Sequence, residues 1–286
     1  MLRDRVISSV IMVLLLIGLL WLDHQSAQRP GWWADLAGCV GGPLTLLVLL
    51  LIVKGGHELM RMYREIGLQP VPYIASGWAM AIVVSTYLRP VSNEWLNLMP
   101  VLVYGWVAAV FAQAIFRRSD RAITQVGVTV MTAIYLGVLA SFILLIRVEF
   151  GLTALLLLII PVKLTDVGAY FVGRSIGRRK LIPWLSAGKT VEGTIGGILV
   201  GGAAAVIFTL VYDIIGVDMN LTRALVFGLV VGATGQLGDL TESLLKRDAA
   251  RKDSGQAIPG FGGIMDVVDS LLLAAPIGYA LLKTWG

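Results

Sequence analysis

The sequence predicts an all-α, polytopic integral membrane protein of about nine transmembrane helices, with its N-terminus cytoplasmic. Three observations carry that expectation. Hydrophobic residues make up 57% of the 286 positions and charged residues only 14%, whereas a soluble domain carries about 25% charged residues. The apolar residues fall in runs close to the ~20 that a helix needs to cross a bilayer. Basic residues then gather on alternate sides of those runs, as the orientation rule for inside loops requires.

The runs lie at about 6–22, 36–53, 72–88, 97–116, 125–146, 150–171, 193–215, 222–240 and 264–284. The first is long for the apolar stretch of a signal peptide and reads as a retained anchor. Arg3 and Arg5 precede it. Lys54, Arg61 and Arg64 follow the second run, and Arg117, Arg118 and Arg121 follow the fourth. Arg174, Arg178, Arg179, Lys180 and Lys189 follow the sixth, and Lys246, Arg247, Arg251 and Lys252 the eighth. The opposite side has only Arg29, Arg89, Arg147, Arg223 and Lys283, with Lys163 left inside the sixth run. The bias puts the basic loops in the cytoplasm and the C-terminus outside. The predicted location is therefore the cell inner (cytoplasmic) membrane, crossed many times. Trp21, Trp32, Trp33, Trp95, Trp184 and Trp285 flank the runs as interfacial anchors.

Composition also excludes chemistry. Cys39 is the one cysteine, so no internal disulfide and no thiolate metal cluster is available. His24 and His57 are the only histidines, which argues against a His-based zinc site or a serine–histidine triad. The net charge of +5 does not imply nucleic acid, because in a membrane protein the placement of Lys and Arg matters more than their sum. No nucleic-acid partner is expected. Two long cytoplasmic loops, 172–192 and 241–263, both fall in the C-terminal half. Residues 1–124 thus read as a transmembrane scaffold or lipid-access region, and 125–286 as the region that carries the chemistry.

Glycines crowd the seventh and eighth runs. Gly196, Gly197, Gly201 and Gly202 sit in one, and Gly228, Gly232, Gly235 and Gly238 line one face of the other. Small residues let helix backbones approach closely in lipid. Tight packing there would hold Asp239, at the end of the eighth run, in a fixed place.

The most polar stretch of the chain runs from Gly238 to Ser270. Asp239 closes the eighth run, and Asp266 and Asp269 open the ninth on one helix face. Carboxylates at the edge of the hydrocarbon are costly and are usually functional or paired. Here they face either a structural pairing with Lys246, Arg247 or Lys252, or a hard cation that takes oxygen ligands and substrate phosphates. Gly260, Gly262 and Gly263 precede the ninth run, and helix-start amides suit a phosphate. Ser186–Thr194 contains Gly-Lys-Thr, but Pro183 stands where a P-loop needs glycine, so that motif is rejected. Lys189 and Thr190 can still meet a triphosphate, and Glu192 a metal or sugar. Asp166, at the end of the sixth run, reads either as part of the site or as a partner of Lys163 or Arg174.

At these residues the sequence resembles the CDP-diacylglycerol synthase (phosphatidate cytidylyltransferase) family. Ser243, Leu245, Lys246, Arg247, Lys252, Asp253, Gly255, Ile258, Pro259, Gly262, Gly263, Ile264, Asp266, Val268 and Asp269 fall in register with its signature. The stretches at Asp166–Arg174, Lys189–Gly193 and Gly238–Ser243 are similar too. Phe261 stands where the family has His, Val267 where it has Arg, and Gly188 where it has Lys, so three cationic groups are missing.

The resemblance implies transfer from CTP to phosphatidic acid, giving CDP-diacylglycerol and pyrophosphate at the cytoplasmic face of the lipid bilayer. It implies Mg²⁺ held by Asp239, Asp266 and Asp269, leaves room for a second metal ion, and admits a homodimer. Asp239, Asp266, Asp269, Lys246 and Lys252 are the expected catalytic residues. Lys189, Thr190, Glu192, Asp166, Ser243, Arg247, Asp253, Gly262 and Gly263 are the expected substrate contacts. Two alternatives remain at this point: a CTP-dependent kinase of a membrane alcohol such as a polyprenol, and a transporter without enzymatic activity.

Overall fold

The computed structural model describes residues 2–28, 41–68, 72–88, 94–116, 121–214, 216–251, 254–255 and 262–286. Among them are nine α-helices, one π-helical turn and one β-hairpin. Helices α1 (Leu2–Gln28), α2 (Gly42–Glu65), α3 (Pro72–Leu88), α4 (Glu94–Phe116) and α5 (Ala122–Ala133) come first. The π turn Ile134–Val138 leads into α6 (Leu139–Ile176), followed by strands β1 (Lys180–Ile182) and β2 (Ser186–Thr190). Helices α7 (Val191–Val211), α8 (Leu221–Asp248) and α9 (Met265–Trp285) close the chain.

The protein is an all-α polytopic membrane protein. Six described helical segments are long and apolar enough to cross a bilayer, and Tyr73–Leu88 and Val103–Phe116 are shorter apolar helices. One of the six, Ala122–Ile176, is 55 residues long. At Gly151 its backbone turns to φ 83° and ψ −176°, far from helical values, which cuts it in two. That break falls where the hydropathy pattern separates the fifth run from the sixth. Large apolar side chains stay on the outside of the helices: Leu15 is 68% exposed and Leu210 66%. Lipid is the solvent that makes such exposure tolerable.

Two helices extend beyond the apolar runs. Helix α2 reaches Glu65, which carries Lys54, Arg61 and Arg64 into helix rather than loop. Helix α8 continues to Asp248, so the first third of the expected loop 241–263 is helical. Glu242 and Lys246 pair one turn apart in that extension, a contact that favours helix. The expected loop 172–192 begins as the last turn of α6 and then forms the hairpin, with Lys180 opposite Thr190 and Ile182 opposite Ser186.

The chain forms two compact units: Met1–Leu144 with Asp253–Met265, and Leu145–Lys252 with Asp266–Gly286. In the first, Asp23 is fully buried and accepts a hydrogen bond from the Leu44 amide at 3.3 Å. It thereby caps the start of α2, where Gly41 supplies no side-chain cap. Gly137 of the π turn meets α3 so closely that a Cβ there would lie 2.6 Å from the Ala79 Cα. Trp78 and Trp106 stack 5.3 Å apart.

In the second unit, glycines decide the packing of α6, α7 and α8. A Cβ on Gly228 would stand 2.6 Å from the Gly201 carbonyl oxygen and 2.8 Å from the Gly202 Cα. Gly201 and Gly232 both abut the Thr165 hydroxyl of α6, which donates back to the Pro161 carbonyl at 2.8 Å. Gly197 lies against the backbone of Thr165 and Ala169. The glycine face expected on α8 is therefore a real contact face. Gly228→Val should cost about 1–3 kcal/mol, the usual size of overpacking, because the obstacles at Gly228 include backbone that cannot rotate away. A thermal melt in detergent checks it, and a wild-type midpoint would show that the helices are not in backbone contact.

Candidate active site

The second unit gathers five carboxylates and three ammonium groups from α6, β2, α8 and α9. On α8, Gln236, Asp239, Glu242 and Lys246 follow one another at spacings of three, three and four, so they share a face. Gly238 brings α9 against that face: a Cβ there would lie 2.5 Å from the Asp269 carbonyl oxygen. Asp269 and Glu242 are both buried, at 4% and 0% exposure.

Asp239, Glu242 and Asp269 each offer a carboxylate oxygen, and these oxygens all lie within 4.8 Å of one another. The Oε1 atom of Glu242 is buried and lacks a hydrogen-bond partner among the described residues. An unmet carboxylate oxygen in such a place is costly. Three hard oxygen donors this close together are the set a Mg²⁺ ion prefers. The residues therefore fit a divalent cation. Charge agrees: Asp166, Asp239, Glu242, Asp266 and Asp269 outnumber Lys163, Lys189 and Lys246 by two.

Of the two alternatives the sequence leaves for Asp266, the pairing with Lys246 is present. Its Oδ1 accepts from Lys246 Nζ at 2.6 Å, and the same ammonium reaches Glu242 Oε2 at 2.6 Å. Lys246 thus ties α8 to the first turn of α9, and Glu242 takes the third place in the carboxylate group. Asp269 Oδ1 also accepts from the Ser270 amide at 2.6 Å.

Lys189 reaches in from β2. It forms an ion pair with Asp239 and donates to Gln236 Oε1 at 3.2 Å. The Gln236 amide in turn donates to Asp166 Oδ1 at 2.9 Å, and Ser270 Oγ donates to Asp166 Oδ2 at 3.3 Å. Lys163 donates to the Val267 carbonyl at 2.8 Å and to Ser270 Oγ at 3.1 Å. Asp166 therefore belongs to the polar network, held by Gln236 and Ser270.

Other expected contacts are engaged by backbone. Thr190 is the N-cap of α7: its Oγ1 accepts from the Gly193 amide at 3.1 Å, and Gly173 and Gly177 pack on it. Glu192 accepts from the Arg178 and Arg179 amides at 3.0 and 3.1 Å and so closes the base of the hairpin. Arg247 donates to the Leu185 carbonyl at 3.2 Å and to the Arg251 carbonyl at 3.3 Å. Ser243 is half-buried on α8. Gly262 has φ 110°, a conformation natural to glycine. At Gly263 a Cβ would lie 2.7 Å from the Glu58 Cδ. Around Gly188 a side chain would meet nothing within 4 Å, so space does not require glycine there. Lys252, Asp253 and Phe261 lie outside the described residues.

Lys163, Gln236, Glu242 and Ser270 were not singled out as site residues from the sequence. The helical spacing of Gln236, Asp239, Glu242 and Lys246 was the signal for two of them. For Lys163 the signal is a lysine inside an apolar run, one turn from Asp166; Ser270 has none.

A sequence profile of the cytidylyltransferase family matches residues 3–285. The chain belongs to the cytidylyltransferase family. It is similar to the phosphatidate cytidylyltransferase of Bacillus subtilis (strain 168), at 34% identity over 84% of this chain and 88% of that one. The phosphatidate cytidylyltransferase of Synechocystis sp. (strain ATCC 27184 / PCC 6803 / Kazusa) is 29% identical over 96% of this chain and 94% of its own. That of Haemophilus influenzae (strain ATCC 51907 / DSM 11121 / KW20 / Rd) is 45% identical over 44% of each chain. This cytidylyltransferase-family chain is accordingly a nucleotidyltransferase of the membrane.

Within this family member, Lys246 has a charge to balance on each side. Lys246→Met should leave Glu242 and Asp266 facing each other without their cation and cost about 3–5 kcal/mol. Adding Glu242→Gln should restore part of that stability. Thermal unfolding of the two variants in one detergent measures it, and a single variant as stable as wild type would remove the bridge from the architecture.

Proposed function

We propose that the chain transfers a cytidylyl group from CTP to phosphatidic acid, releasing pyrophosphate and forming CDP-diacylglycerol at the cytoplasmic face of the inner membrane. The observation that carries this reading is the convergence of Asp239, Glu242 and Asp269, with one Glu242 oxygen unmet, beside Lys189 and Lys246. The names of the full-length relatives supply the substrates. The excess of Lys and Arg on one side of the apolar runs supports the cytoplasmic face.

In the reaction an oxygen of the lipid phosphate forms a bond to the α-phosphorus of CTP. The bond from that phosphorus to the bridging oxygen breaks, and its electron pair leaves with pyrophosphate. A phosphate monoester carries about −1.5 to −2 charge near pH 7 and needs no general base to attack. The two histidines, His24 and His57, are on α1 and α2. When bound, Mg²⁺ supplies positive charge at the phosphoryl oxygens. Asp239, Glu242 and Asp269 would hold it. Lys189 and Lys246 present ammonium groups beside those carboxylates, where they offset the charge of two anions brought together. Asp166 and Gln236 orient Lys189 through the chain of hydrogen bonds described above. Lys163 fixes the first two turns of α9 through the Val267 carbonyl and Ser270.

Purified protein with CTP, phosphatidic acid and Mg²⁺ should release pyrophosphate and stop when the metal is chelated. CDP made from CTP and a polyprenol would instead indicate a kinase, and a folded preparation that turns over neither would sink both enzymes. Asp269→Asn should lower kcat by at least ~10²-fold, the scale of losing an electrostatic contact in the transition state. Glu242→Gln should raise the Mg²⁺ concentration for half-maximal rate by about 10-fold or more, whereas Asp266→Asn should lower kcat with the Mg²⁺ requirement unchanged. The reverse pattern would return Asp266 to the metal and remove Glu242.

A further inference from the structure

Glu58 lies on α2, in the stretch the sequence assigns to scaffold. Its carboxylate is nevertheless engaged by the segment that opens α9. Oε1 accepts from the Ile264 amide at 2.9 Å. Oε2 accepts from the Met265 amide at 3.1 Å and from Ser254 Oγ at 3.2 Å. Ser254 and Met265 are fully buried. All four residues belong to the first compact unit, whose boundary falls between Met265 and Asp266.

The surroundings are shaped for this carboxylate. A Cβ at Gly255 would stand 2.7 Å from Glu58 Oε1, and one at Gly263 would stand 2.7 Å from Glu58 Cδ. One turn earlier on α2, a Cβ at Gly55 would stand 2.8 Å from Met265 Sδ. Glycine at these three positions lets the chain close on Glu58 and lets Met265 seat against α2.

The first amides of a helix have no intrahelical acceptor, and a carboxylate there is favoured by the helix dipole. Ile264 and Met265 carry two such amides. The sequence reads the glycine-rich turn as a place for a phosphate; in the structure Glu58 accepts from both amides.

We propose that Glu58 is a positioning residue for the reaction. By holding the Ile264 and Met265 amides it sets the rotation and height of the first turn of α9, immediately before Asp266 and one turn before Asp269. Each residue turns a helix by about 100°, so a slipped or frayed first turn moves Asp266 off Lys246 and tilts Asp269 away from Asp239 and Glu242. The same contact occupies both amides. This inference rests on the cytidylyltransferase reading for its kinetic consequences, but the contact itself is tested without turnover.

The experiment uses the full-length protein in detergent, as wild type, Glu58→Gln, Glu58→Ala and, as a control, Leu59→Ala, which deletes a neighbouring buried side chain. Hydrogen–deuterium exchange is followed in peptides covering 262–268. Glu58→Ala should speed exchange there by at least ~10-fold, as expected when a local opening becomes easier, and Glu58→Gln by less. Kinetically, Glu58→Ala should lower kcat by about 10–100-fold and raise the Mg²⁺ requirement, the scale of losing a residue that orients metal-binding carboxylates. The KM for CTP should stay within about threefold, because no direct phosphate contact is removed. Leu59→Ala should lower the melting temperature without either change. Unaltered exchange in Glu58→Ala overturns the proposal, as do faster exchange with wild-type kcat and Mg²⁺ requirement, or a Leu59→Ala variant that reproduces the whole pattern. In a preparation without cytidylyl transfer, the exchange result decides the contact alone, and the failure belongs to the functional reading.

Discussion

At Gly238 the backbone of α8 runs so near α9 that a single methyl group would collide with the Asp269 carbonyl oxygen. The geometry of the site follows from that approach. It lets Asp239 and Glu242, on either side of a short stretch of α8, face Asp269 on the neighbouring helix. Hydrocarbon solvent gives helices no hydrophobic reason to associate, so close backbone contact and interhelical hydrogen bonds must supply the attraction. The glycines at 201, 228, 232 and 238 provide the contact, and Thr165 fills the space between two of them.

Three lysines supply hydrogen bonds between these elements. Lys163 links α6 to α9, Lys189 links β2 to α8, and Lys246 links α8 to α9. Burying ion pairs is weak evidence of stability, because desolvation consumes most of the attraction. Here the pairs fix which helix faces which, and they leave an excess of negative charge that a divalent cation would neutralise. A structure that only required mutual neutralisation would have no reason to leave the Glu242 oxygen unmet.

Several polar residues that the sequence marks for the site also serve the backbone. Thr190 caps α7, Glu192 gathers two amides at the hairpin base, and Arg247 bonds two carbonyls. Helix starts and turns leave amides and carbonyls that must find partners, and a polar residue within reach becomes that partner. One sequence does not show which residue will be in reach. Glu58 is the clearest case: nearly two hundred residues separate it from Ser254, yet one carboxylate joins them.

By itself the sequence determined the membrane class and the order of the helices, because spanning hydrocarbon demands a length of apolar chain that can be counted. It also determined the family, through a signature of polar residues too long to arise by chance, and it pointed to Asp239, Asp269, Lys189 and Lys246. Only the tertiary structure decided that Glu242 joins the carboxylates, which of the offered cations Asp266 meets, and that Glu58 of α2 accepts from the amides that open α9. Those outcomes depend on distances of a few ångströms between helices far apart in the chain. Glycine-permitted backbone contacts set these distances, and side-chain identity along one strand of sequence does not encode them.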